Sequence, residues 1–82
     1  MKGIVKIINP KRGLIAVEVD FNDFTVMEIL ETSCSIDVGD FVSGNLDAHA
    51  GETVINLTKN EKMEVFIEGV NCSAQNAQQL MR

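Results

Sequence analysis

Eighty-two residues of 9.0 kDa make one small domain and exclude a separate catalytic lobe, since chains usually add a second domain only beyond about 150 residues. With 45% apolar residues, six Gly and one Pro, the composition is globular and neither disordered nor collagen-like. Seven basic against twelve acidic residues give a net charge of −5, the wrong sign for a domain held to phosphates by its overall field.

Lys2 to Ile8 (KGIVKII) is rich in β-branched residues and reads as a strand. It runs into Asn9-Pro10-Lys11-Arg12-Gly13, where Pro10 presets a turn and Gly13 tolerates positive φ. Its apolar run, Ile4 to Ile8, is too short for a secretory h-region or a bilayer span, so the expectation is a cytoplasmic protein without a membrane partner. In Leu14 to Phe21 (LIAVEVDF), Ile15, Val17, Val19 and Phe21 alternate with Leu14, Ala16, Glu18 and Asp20; the first set is expected in the core and the second in solvent. Phe24 to Leu30 suits a third strand, although periodicity alone also admits a helix there.

Glu31 to Ser35 is small and polar, as a loop would be, and Ile36 to Asp40 leads through Gly39 into a fourth strand, Phe41 to Leu46. Asp47 to Gly51 is turn-rich, and a fifth strand is expected at about Glu52 to Thr58. A sixth segment, Met63 to Ile67, places Met63, Val65 and Ile67 on one face and Glu64, Phe66 and Glu68 on the other. Short strands spaced by turn signals imply a closed or sandwich-like all-β domain. Beyond Gly69 the strand pattern ends; Val70, Ala74, Ala77 and Met81 fall at helical spacing, but an isolated helix needs about 12–15 residues, so fraying is expected unless a partner covers it.

Several offsets together resemble the cold-shock domain, a five-stranded barrel of the oligonucleotide/oligosaccharide-binding (OB) fold. Gly3-Ile4-Val5-Lys6-Ile7-Ile8-Asn9 matches its opening strand and Arg12-Gly13-Leu14-Ile15-Ala16-Val17 its second, without a gap. Ile36-Asp37-Val38-Gly39-Asp40-Phe41-Val42-Ser43 looks like the approach to its fourth strand, and Gly51 with Asn56-Leu57 like its close. The expected fold is therefore all-β: a small five-stranded OB-like Greek-key barrel over residues 1–69, extra C-terminal strand included, with a short helical or disordered tail over 70–82.

The family's function carries over poorly, because Leu14 and Ala16 stand where it has base-stacking phenylalanines, Ile7 and Ile8 where it has Trp-Phe, and Glu18 and Asp20 extend that face with negative charge. The first expectation is accordingly a non-catalytic module for a protein or peptide partner, contacting it through a sheet edge, the tail or exposed Phe41 and Phe66. The alternative that the resemblance implies is weak single-strand nucleic-acid binding by Lys2, Lys6, Lys11 and Arg12, with Leu14 and Phe24 as the residual surface. No cofactor or metal is expected: Cys34 and Cys72 lack zinc spacing and read as free thiols, and His49 is a lone loop imidazole. The Glu18, Asp20, Asn22, Asp23 turn places Phe24 where a calcium loop needs an oxygen ligand.

Overall fold

A closed barrel whose neighbours all run antiparallel needs an even number of strands, and six satisfy that condition here. The computed structural model describes residues 1–31, 35–48 and 50–82, so the expectations for Cys34, His49 and most of the loop before Ser35 lie outside the described residues. Its strands are β1 (Lys2–Asn9), β2 (Leu14–Asp20), β3 (Asp23–Ile29), β4 (Phe41–Ser43), β5 (Gly51–Asn56) and β6 (Glu61–Cys72), followed by helix α1 (Ala74–Leu80). Around the wall the order is β1-β2-β3-β6-β5-β4, with β4 returning to pair with β1 in the Greek-key sense. The sixth strand stands in the wall between β3 and β5.

Period-two alternation fills the interior: Val5, Ile15, Val17, Met27, Val42, Val54, Met63, Val65 and Ile67 point inward and are buried. Leu46 joins them from beyond β4, and its carbonyl accepts a 2.9 Å hydrogen bond from the buried Thr25 hydroxyl. β4 stops at Ser43, short of the expected Leu46, because the chain turns inward at Gly44, where a Cβ would lie only 3.2 Å from the Thr53 carbonyl oxygen. β6, by contrast, continues past the expected Ile67 to Cys72, so residues 70–72 belong to the wall. A bulge allows this: Phe24 pairs with Cys72 and Val26 with Gly69, and Asn71 takes up the extra length at φ 54°.

Leu14 and Ala16 were expected in solvent, yet both are buried, because α1 lies across the outer face of the sheet. Leu14, Ala16, Phe24 and Val26 pack there against Cys72, Ala77 and Met81. Ser73 caps the helix by accepting from the Asn76 amide at 3.2 Å, Asn22 Oδ1 accepts from the Ala74 amide at 3.0 Å, and Asn9 donates to the Met81 carbonyl. The tail is thus a docked helix with both ends tied to the barrel.

Phe21 corrects the expected alternation in the other direction. The β2–β3 register shifts between Glu18 and Asp20, β2 ends at Asp20, and Asn22 turns the chain at φ 52°, so Phe21 leaves the core and is 93% exposed.

Candidate interaction site

Because Val42 points inward, its neighbour Phe41 must point out, beside Ile4 on β1, with Glu18 on the far side of Ile4. The Phe41 backbone is fixed on both sides: its amide donates to Thr58 Oγ1 at 2.9 Å and its carbonyl accepts from the Leu57 amide at 2.7 Å. Phe41, 53% exposed, and Phe21 flank a groove of about 410 Å³ floored by Ile4 and Val19, with Lys2, Glu18 and Asp20 as its polar lining. Ile55 on β5 and Leu57 just after it, both exposed, extend the apolar surface beyond Phe41. A second hollow of 440 Å³ at the barrel end is walled by Ile8, Pro10, Ile15, Ile29 and Ile36 and has no exposed aromatic.

Phe66 is exposed, as its phase on β6 required, but it does not join Phe41. Phe66 pairs with Gly51 at one end of β5, whereas Phe41 bonds to Leu57 just beyond the other, roughly 20 Å away at about 3.3 Å per residue. The two rings therefore stand on two separate surfaces.

The four basic residues are likewise divided. Lys2 opens β1 beside the groove, while Lys11 and Arg12 occupy the turn after its far end. Lys6 lies between them and faces Glu18 at 3.8 Å, which reduces the positive charge it offers to any anion. Leu14 and Phe24, the expected residual stacking surface, are 4% and 6% exposed beneath α1. A base can stack only on an exposed face, so these two side chains are not available to one while α1 stays docked.

Below the groove a polar network fixes the loop that delivers Phe41. The buried Asp40 carboxylate accepts from Asn56 Nδ2 at 2.8 Å, from Lys59 Nζ at 2.8 Å and from the Asp37 amide at 3.0 Å. Lys59 also reaches Asp37 Oδ2 at 2.9 Å, and its amide donates to Asn56 Oδ1 at 3.0 Å. Burial alone would raise the Asp40 pKa, but the hydrogen bonds from Lys59, Asn56 and the Asp37 backbone outweigh it and hold the carboxyl below its ordinary 3.8. The same hydrogen bonds to Asp40 and then Asp37 outweigh desolvation at Lys59 and hold its ammonium above 10.5. Asp40 and Lys59 are nineteen residues apart, and nothing in their sequence spacing announces the pair.

Cys72 is buried beside the helix, where desolvation and then the charge of Asp23 push its thiol up, away from nucleophilic character. Asp20 Oδ1 accepts from the Phe21 amide at 2.8 Å, and Asn22 Oδ1 from Ala74, so two oxygens of the acidic turn serve local backbone. Among the described residues no three His, Cys, Asp or Glu side chains converge to hold a metal ion, and no helix is long and apolar enough to cross a membrane. Comparison with protein-family models, curated proteins and solved structures gave no match for this chain.

Proposed function

We propose that this barrel is a non-catalytic binding module that holds a protein or peptide segment by an apolar side chain seated between Phe21 and Phe41. One observation carries the reading: the most exposed aromatic of the chain, Phe21 at 93%, stands at the lip of a concave apolar groove rather than alone on a convex surface. A closed wall offers little free edge for strand addition, so a partner docks on side chains. In the same proposal the barrel is OB-like with cold-shock ancestry, supported by the return of β4 beside β1 and by the Gly3-to-Asn9 strand and Gly13 turn falling where that resemblance puts them. A cytoplasmic setting is supported by the free Cys72 thiol.

Selection of a displayed random-peptide library on the intact chain tests this. The enriched peptides should share an aromatic or large aliphatic anchor. Phe21→Ala and Phe41→Ala should each weaken a selected peptide about tenfold or more, or ~1.4 kcal/mol, while Phe66→Ala should leave it unchanged. Failure to enrich any anchored sequence, or equal binding by all three variants, overturns the proposal. Amide shifts at Lys11 and Arg12 with a pyrimidine-rich single strand, fading as salt is added, would instead favour nucleic-acid binding.

A further inference from the structure

We propose that α1 positions Phe21 through Asn22, so that docking of the C-terminal helix and binding in the groove strengthen each other. The coupling rests on the groove reading above; the positioning of Phe21 does not, and it is tested with no ligand present.

Phe21 and Asn22 form the turn between β2, which ends at Asp20, and β3, which starts at Asp23. The Phe21 ring is almost fully exposed and has little packing to hold it, so the backbone of the turn decides where it stands. That backbone is fixed at three points. Asp20 Oδ1 accepts from the Phe21 amide at 2.8 Å, and Asn22 reverses the chain at φ 52°, a conformation that asparagine adopts readily. The third point lies far along the chain: Asn22 Oδ1 accepts from the Ala74 amide at 3.0 Å. Ala74 opens α1, and its amide is one of the donors that a helix leaves without an internal partner. Ser73 Oγ serves the Asn76 amide, so Asn22 acts as a second cap supplied by the turn. On the other flank of the turn, Phe24 is buried in the strip that Ala77 and Met81 cover.

The helix supplies the two states that such a coupling requires. With seven residues, α1 is too short to persist away from the strip, so its docking and its folding are one event. Undocked, it takes the donor from Asn22 and the cover from Phe24, and Phe21 keeps only the local bond to Asp20. Phe41, the other wall of the groove, keeps its bonds to Thr58 and Leu57 in both states. A side chain seated between the rings needs both walls in place and therefore favours the docked state. By linkage, docking favours the seated side chain by the same factor.

Ala74→Pro removes the donor alone. Proline is well tolerated at the first helical position, and Ser73, at φ −68° and ψ 165°, already has the extended backbone that a following proline requires. With no ligand, the backbone order parameter of the Phe21 amide should fall from about 0.85 in the parent to about 0.6 or lower in Ala74→Pro, while that of Phe41 stays unchanged. Asn22→Asp keeps the acceptor and should match the parent. Asn22→Gly keeps the turn but lacks the acceptor; it should behave as Ala74→Pro does and replaces it if that variant does not fold. With a saturating peptide selected on the groove, hydrogen exchange at the Ala77 and Met81 amides should slow about threefold in the parent and not in Ala74→Pro. The same peptide should bind Ala74→Pro about threefold more weakly. Unchanged Phe21 order in both Ala74→Pro and Asn22→Gly overturns the positioning. A peptide that binds the groove yet leaves exchange in α1 unaltered overturns the coupling and leaves the groove reading standing. Absence of any anchored peptide overturns the groove reading and the coupling with it, while the order of Phe21 still decides the positioning.

Discussion

Replacing Gly3 by alanine should destabilise the barrel by about 1–3 kcal/mol, although glycine-to-alanine changes in strands ordinarily help slightly. The reversal follows from the barrel interior. A Cβ on Gly3 would collide with Val17 Cγ1, stand 3.0 Å from the Glu18 carbonyl oxygen and 3.3 Å from Val19 Cγ1. Val17 is fully buried and β-branched, so its χ1 cannot swing aside, and the Glu18 carbonyl belongs to the backbone of β2. Gly51 provides the contrast: a Cβ there meets only the Val65 carbonyl oxygen, at an ordinary 3.8 Å, and Gly51→Ala should stay within about 0.5 kcal/mol of the parent. For a domain this small, the Gly3 variant should melt about 4–8 °C lower for each kcal/mol lost. Equal urea midpoints for the two alanine variants would show that β1 and β2 do not approach as closely as described.

Gly3 also illustrates what was legible in the sequence. Its place at the start of a β-branched run, with the turn at Gly13 and the alternation of Ile15 and Val17, was enough to predict a hairpin and an all-β barrel, because period-two patterning reports which face is buried. The pattern could not report a second buried face. Leu14 and Ala16 read as solvent positions because the element that covers them lies some sixty residues later, in an amide-rich segment too short to predict as a stable helix. Phe21 failed for a local reason: strict alternation assumes an unbroken ladder, and the register shift before Asp20, followed by left-handed Asn22, moves the side chain out of phase. The groove therefore went unseen, since one of its two aromatic walls had been assigned to the core. Phe41 and Phe66 are both exposed, but whether they share a surface depends on how far β5 runs between them, which alternation does not report.

Removing the Asp40 carboxylate should be the more informative perturbation, because it touches both stability and the candidate site. In Asp40→Ala the Asn56 amide, fully buried, loses its acceptor, and the Asp37 amide loses another; an orphaned buried donor costs about 1–3 kcal/mol. Asp40→Asn keeps the shape but sets a neutral amide against Lys59. The pH dependence identifies the interaction. A carboxyl whose folded pKa is depressed contributes stability that is present above its ordinary 3.8 and is lost as pH falls through the folded value, when Asp40 takes up a proton. Lys59, raised above 10.5, contributes stability present below that value and lost as pH rises through the folded one. The stability gap between parent and Asp40→Asn should thus be widest on the plateau between these limits and close on both sides, as read by urea unfolding across the range. A gap independent of pH would mean that Asp40 acts through shape alone. Since Phe41 follows Asp40 directly, loosening this network should also weaken anchored peptides without any change in the groove's own side chains. Unaltered peptide affinity in a folded Asp40→Asn variant would show that the bonds from Thr58 and Leu57 suffice to hold Phe41 in place.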